Sequence, residues 1–546
     1  MTDAMSETNV ARSSAWMALG TIVSRLTGFA RLYLLAFTIG THTNADLFSN
    51  ANTIPNTLYI LVAGGIFNVV LVPQMVRAMK RDADGGDAYV NRVMTLGLVV
   101  LAGATAVLLL AAPLIVRLVF PSLLYSDGFE QQLATARLLM WLCMPQVFFY
   151  GAFVLVGQVL NSRGVFGPMM WAPIANNLVA IAVLSLFLCV FGSSDGSGGF
   201  TAGQAALLGL GSTLGIATQA ALLIPYLRRA GFRFRPRFDF RDTGLGHTLR
   251  LGSWTLGLIV ANQVAYIVVQ KLGAGGTMRG HAEGTAAAGS FVYEIGYLMS
   301  QVPHGVVTVS LATAVIPTLS ALAADQRLAE LAHELGRVLR LVLAVITPLA
   351  VAAAILAPTA IQAIAHGGIR TNAGVIGLTV AAFAPAMVAF SVHYVMLRGF
   401  YAMENTRTPF CIQLVVAATN IAAAIGFTRL ADTQHVPVAL ALAFGLSYFV
   451  GTTLSVTLLP ASRAIFDAAT RRFLLRLALA CVITAAVMLG SIAAIHAAGV
   501  PTETPARAFG LLALVGPLGA GTYLAASRVL GLTELTSVLA ALRRRS

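Results

Sequence analysis

The sequence predicts an all-α polytopic membrane protein of about fourteen transmembrane helices, arranged as two six-helix lobes related by a parallel repeat plus two C-terminal helices. Three observations carry this expectation. Of 546 residues, 58% are hydrophobic and only 10% are charged, whereas a soluble chain carries about 25% charged residues. Apolar runs long enough to span a bilayer recur from end to end, and several punctuation marks repeat at one fixed offset.

Read with a window of about 19 residues, the spans fall near 14–39, 48–77, 91–118, 132–160, 168–192, 203–228, 248–271, 286–320, 338–365, 374–400, 409–429, 437–460, 473–498 and 505–530. The second and eighth are long enough to tilt or extend past the membrane. The first carries arginines in its core and lacks the short apolar core and small-residue cleavage site of a signal peptide, so it is expected to remain as a helix.

The net charge of +14 does not point to nucleic acid, because its distribution follows the membrane. Basic residues gather in alternate connections, as at Arg77–Arg92, Arg228–Arg241, Arg327–Arg337 and Arg463–Arg472, and again in the tail at Arg543, Arg544 and Arg545. That is the positive-inside pattern, with an even number of spans and both termini cytoplasmic. The charge therefore reports topology and contact with membrane lipids. All four cysteines, Cys143, Cys189, Cys411 and Cys481, lie within apolar runs without metal-ligand spacing and read as small core residues.

The repeat is visible in small marks. Val72-Pro73 and Ile316-Pro317 are 244 residues apart, Ala112-Pro113 and Ala357-Pro358 are 245 apart, and Asn161-Ser162-Arg163 and Asn405-Thr406-Arg407 are again 244 apart. Asn177 and Asn420 differ by 243. Together they define an N-lobe over 1–244 with spans 1–6, a C-lobe over 245–465 with spans 7–12, and spans 13 and 14 with a basic tail over 466–546. Copies of six spans share one orientation, which is the plan of transporters that bind substrate between lobes and alternate access by rocking.

Enzymatic chemistry has little to stand on. The only lysines, Lys80 and Lys271, are not followed by Ser or Thr, so a Walker A loop is excluded. No H-E-x-x-H pair or Cys/His cluster offers a metal site, and no cofactor is expected.

Polar residues at membrane depth are the remaining chemistry. Arg25 and Arg31 sit in the first span, and a guanidinium is a permanent cation whose placement at a bilayer centre costs roughly 2.5–3.5 kcal/mol on insertion scales. Arg25 lies about 16 Å into the helix, near the middle of a core about 30 Å thick. The two side chains are roughly 120° apart on the helix, and Gly28 between them permits a bend that lets both face one cavity. Snorkelling to the headgroups is the competing reading for Arg31.

Lys271 ends the expected seventh span, the counterpart of the first, and reads either as a cavity cation or as an interfacial snorkeller. Glu294 is a candidate for pairing with a base or coupling a cation or proton, Asp46 for a helix cap or gate contact, and Asn56, after Pro55, for a kinked backbone or substrate contact. His304, His393 and Arg398 complete the set, with Arg398 expected to anchor the cytoplasmic end. Arginines in such a cavity suit a phosphate or diphosphate, soluble or lipid-linked.

Ser24-Arg25-x-x-Gly28-Phe29-x-Arg31, then Asp46, Pro55-Asn56, Val72-Pro73 and the Asn-x-Arg turns of both lobes resemble the MurJ (MviN) family of lipid II flippases, within the multidrug/oligosaccharidyl-lipid/polysaccharide (MOP) exporter superfamily. The resemblance spans nearly the whole chain and looks similar to the actinobacterial branch. It implies a cationic central cavity, a bacterial cytoplasmic-membrane location and, as substrate, the undecaprenyl-diphosphate-linked peptidoglycan precursor moved from inner to outer leaflet. It maps the family's first-span arginines onto Arg25 and Arg31 and its acidic residue onto Asp46. Where the family carries further charges, this chain has Leu32, Tyr59, Leu298 and Gln301, so its cavity is expected to be less cationic, with Lys271 offsetting part of the loss. Partners in cell-wall synthesis or division fit the same picture. Flipping of another polyprenyl-linked glycan, ion-coupled drug export and a non-transporting scaffold for cell-wall enzymes are the competing readings.

Overall fold

The computed structural model describes residues 2–60, 86–194, 196–239, 245–460, 462–499 and 504–534. Among the described residues every regular element is helical, as bilayer-crossing backbone requires, since each peptide group must find its partner inside its own segment. Thirteen helices or helix runs among them are long and apolar enough to cross a membrane. The expected second span, near 48–77, lies mostly outside the described residues.

The chain divides into two compact units, Met1–Gln263 and Val264–Ser546. In the first, α1 (Thr2–Ile39) is followed by α2 (Thr43–Tyr59). Next come α3 (Asp87–Leu110) and α4 (Ala112–Val119), broken at Ala111 where Pro113 opens the second piece. Helices α5 (Glu130–Cys143) and α6 (Gln146–Ser162) form one membrane crossing interrupted at Met144-Pro145. Then α7 (Gly167–Phe191), α8 (Ala202–Ala221) and the short α9 (Leu223–Arg229) complete the unit, and α10 (Leu245–Glu283) continues across the division. Helix α7 packs against both α1 and α8. The loop before α8 is tied down from two sides. Asn44 exchanges two hydrogen bonds with the backbone of Gly199, at 2.8 and 3.4 Å, and Gln131 Nε2 donates to the Phe200 carbonyl at 2.8 Å. Thr201 and Gln204 then start α8 with a reciprocal capping box.

In the second unit, α11 (Ser290–Pro303) leads into a π-helical turn over His304–Thr308, where Val309 N–H reaches back five residues to the His304 carbonyl. Helices α12 (Val309–Ala314) and α13 (Ile316–Ala324) finish that crossing. They are followed by α14 (Leu328–Ile364), α15 (Ala373–Ala402), α16 (Arg407–Leu430), α17 (Val436–Leu458), the short α18 (Ser462–Ile465), α19 (Ala468–Ala497) and α20 (Pro505–Val529). Tyr293, Tyr297, Phe383, Phe444 and Tyr448 interlock between α11, α15 and α17 through stacked, tilted and edge-to-face pairs, with ring centroids 4.7–6.3 Å apart. Such pairs contribute about 0.5–1.5 kcal/mol each beyond their area burial. Helix α20 is fastened to α14 by Tyr523, whose hydroxyl donates to the Ala344 carbonyl at 2.6 Å.

One boundary differs from expectation. The seventh span was expected to end at Lys271, but α10 runs on to Glu283. The run Gly273-Ala274-Gly275-Gly276 looks like a terminator in sequence; in the fold its glycines make close packing. A Cβ on Gly273 would lie 2.8 Å from the Ser290 backbone, one on Gly276 2.9 Å from the Ala288 carbonyl, and one on Gly280 2.3 Å from Ala287 Cβ. The glycines at 273, 276 and 280 share one helix face, and the chain entering α11 returns along it.

Candidate functional site: a polar cavity around Arg31

Helix α1 carries Arg25 and Arg31 about 9 Å apart along its axis. Arg31 is half-buried and lines a cavity inside the N-terminal unit, with a volume of about 50 Å³. That is room for a few waters at about 10–15 Å³ of occupied volume each. The other polar walls are Asn52 of α2, Tyr150 of α6, Asn176 of α7 and Ser212 of α8. Each can donate a hydrogen bond, and among the described lining residues there is no carboxylate. A donor-rich, acid-free cavity with a guanidinium in its wall is complementary to anionic oxygens. Gln146 supports it from behind, its Nε2 donating to Asn52 Oδ1 at 3.1 Å. The Gln146 side chain is buried and its Oε1 has no partner among the described residues.

Arg25 stands apart from this cavity. It is exposed on the unit and is not one of the lining residues. Gly28, between the arginines, lies within unbroken helix and faces Asn177 of α7: a Cβ there would sit 3.5 Å from Asn177 Nδ2. That amide donates to the Ser24 carbonyl and to Thr27 Oγ1, both at 3.0 Å. The Asn177 amide thus ties the arginine-bearing stretch to α7.

Asp46 is fully buried in the first turn of α2, where a carboxylate meets the positive end of the helix. The N-cap position itself falls to His42. Asn56 is half-buried after Pro55, its carbonyl accepting the Ile60 N–H, and it does not line the cavity. Tyr59, standing where the family pattern has arginine, stacks on Tyr150 with centroids 5.9 Å apart and so backs the cavity wall.

Lys271 and Glu294 belong to the second unit. With α10 extended, Lys271 is fifteen residues into the Leu256–Glu283 crossing, about 22 Å from one end and about 18 Å from the other. That depth makes escape to headgroups harder than its expected place at a helix end. Glu294 Oε1 accepts from Tyr266 hydroxyl and Gln270 Nε2, each at 2.8 Å. His304 is buried, with Nδ1 2.9 Å from Ser391 Oγ and its ring 4.4 Å from that of Phe390. His393 is buried with Nδ1 2.6 Å from Ser455 Oγ. Arg398 stacks 4.2 Å from the centroid of the Tyr394 ring, one turn earlier on the same helix.

Asn52, Tyr150, Asn176, Ser212 and Gln146, and likewise Tyr266 and Gln270, were not anticipated. Their one signal in sequence is a hydrogen-bonding side chain inside an apolar run. Among the described residues no group of three or more His, Cys, Asp or Glu is placed to hold a metal.

The fold is shared with solved membrane-protein structures. A solved structure titled "Lipid II flippase MurJ, inward closed conformation" matches at a TM-score of 0.69 and 16% identity, covering 94% of this chain and 98% of that one. An inward-facing multidrug resistance MATE family transporter of the MOP superfamily matches at 0.61 and 11%, covering 83% and 99%. The family described as "Lipid II flippase MurJ" matches residues 35–510, and the chain belongs to that family. A probable lipid II flippase MurJ from Rhizobium tropici is 28% identical over 409 residues, covering 74% of this chain and 73% of the relative. One from Buchnera aphidicola subsp. Baizongia pistaciae is 24% identical over 446 residues, covering 81% and 82%.

Proposed function

We infer that this chain is a lipid II flippase, moving the undecaprenyl-diphosphate-linked peptidoglycan precursor from the inner to the outer leaflet of the bacterial cytoplasmic membrane. Family membership over residues 35–510 supports the substrate. The observation that carries the chemistry is Arg31 in a donor-rich cavity, on a helix long and apolar enough to cross a membrane, because a guanidinium fork and neutral donors match the oxygens of a diphosphate. The proposed roles follow from placement. Arg31 grips the diphosphate, and Arg25 guides it from the exposed side of the same helix. Lys271 and Asn56 contribute to binding. Asp46, Gly28 and Glu294 act in gating or coupling. Lobes of 1–244 and 245–465, with 466–546 appended, rock to alternate access. With no P-loop possible, an ion gradient, the membrane potential or consumption of the flipped product drives the cycle.

Expression in a MurJ-depleted bacterium tests the reading. The chain is expected to restore growth and the accessibility of lipid II at the outer leaflet. Arg31→Ala and Arg25→Ala are expected to abolish both, and Arg25→Lys to weaken them. Full rescue by the alanine variants at normal expression would overturn the assignment.

A further inference from the structure

The N-terminal unit holds a second, much larger cavity of about 830 Å³, within the range of about 300–1,000 Å³ usual for ligand sites. Its floor is apolar: Met94 and Leu98 from α3, Phe149 and Val156 from α6, and Ile224 from α9. Its mouth carries Arg228, the penultimate residue of α9, and Arg233, in the segment that follows.

That segment is built as a strap rather than left as a loose loop. Arg235 N–H donates to Asn91 Oδ1 at 2.6 Å and Arg237 N–H to Thr95 Oγ1 at 2.9 Å, laying residues 232–239 across the start of α3. Phe232 is fully buried beneath Arg163, whose guanidinium stands 5.1 Å from the ring. The neighbouring carboxylates are already used. Asp239 is paired with Arg92 at 2.8 Å and with Arg237 at 3.1 Å, and Asp87 is paired with Arg163. Those arginines hold Asp239 below the ordinary carboxylate range, so it is not a free acid waiting for the groove. Arg228 and Arg233 are exposed, and neither has a carboxylate partner among the described residues.

Two uncompensated cations over a wide apolar floor define an amphiphilic anion site. The arginine-rich connection between α9 and α10 is one of those the positive-inside rule puts on the cytoplasmic side, where anionic lipids sit. We propose that this groove binds an anionic glycerophospholipid of the inner leaflet, its phosphate at Arg228 and Arg233 and its acyl chains on the α3–α6–α9 floor. The site is separate from the Arg31 cavity and does not depend on which molecule is transported. The bound lipid fastens the strap to the bundle, making this unit's stability depend on lipid composition.

The full chain in neutral detergent, titrated with phosphatidylglycerol or phosphatidylcholine and followed by thermal melting and retained lipid, tests it. Phosphatidylglycerol is expected to bind more tightly than phosphatidylcholine. Arg228→Ala/Arg233→Ala should weaken phosphatidylglycerol roughly tenfold or more through lost bonds to the phosphate, while Arg229→Ala/Arg235→Ala, which removes equal charge away from the groove, should weaken it little. Ala152→Trp, on the floor, should reduce retention of lipid while the arginines remain. Equal losses in the two double variants would reduce the effect to diffuse charge and overturn the site, as would no loss in either. Displacement of phosphatidylglycerol by an equal concentration of undecaprenyl diphosphate would overturn the choice of occupant.

Discussion

A leucine at position 28 would push on Asn177, because a bare methyl there already lies 3.5 Å from its Nδ2. Gly28→Ala is therefore expected to be tolerated, and Gly28→Leu to break the two Asn177 bonds to Ser24 and Thr27. Asn177→Leu should reproduce that loss, removing the same two hydrogen bonds from the arginine-bearing stretch. Complementation together with melting temperature checks this: Gly28→Leu and Asn177→Leu fall together, and Gly28→Ala stays near the parent. Glu294 admits a cleaner test of charge. Tyr266 and Gln270 both donate to Oε1, and the amide oxygen of glutamine can accept the same two bonds. Glu294→Gln is expected to keep the melting temperature and lose transport if the carboxylate couples an ion; unchanged transport would leave it a packing residue.

At the scale of an element, α10 shows how a glycine run is misread. Propensity treats Gly273, Gly275, Gly276 and Gly280 as costs of about 1 kcal/mol each relative to alanine, so the sequence reads as a helix ending near Lys271. Contact with Ser290, Ala288 and Ala287 reverses that reading, because only a missing Cβ lets the return segment lie so close. Gly280→Val is expected to destabilise by about 1–3 kcal/mol through overpacking, seen as a lower melting temperature in detergent. Gly284, just past the helix end with a φ of +64° and open space around it, can take a larger residue only by straining its backbone, so Gly284→Ala should cost less than Gly280→Val. The longer helix also places Lys271 twelve residues before its last residue, Glu283, rather than at its end.

For the whole molecule, length and hydropathy made the crossings legible, since bilayer thickness fixes how many apolar residues a helix needs. The Arg31 cavity was only half legible. Its cation stood out because charge in an apolar run is rare. Asn52, Tyr150, Asn176 and Ser212 come from four other helices, and nothing local distinguishes them from other polar residues in spans. The Asn177 clamp hid for the same reason, although the match of Asn177 to Asn420 marked the position. Asn420 is buried like Asn177, and its Oδ1 has no partner among the described residues. Orientation is a prediction at this scale: a reporter fused after Ser546 should be active only in the cytoplasm, as should one at the N-terminus.

The π turn at His304–Thr308 means that the eighth crossing contains one residue more than a regular helix would need. Such a spare residue is a built-in phase shifter. Absorbing it into an ordinary turn would rotate α12 and α13 by about 100° relative to α11. That conversion would also lengthen the crossing by about 1.5 Å, with the bonds of the turn reaching back four residues instead of five.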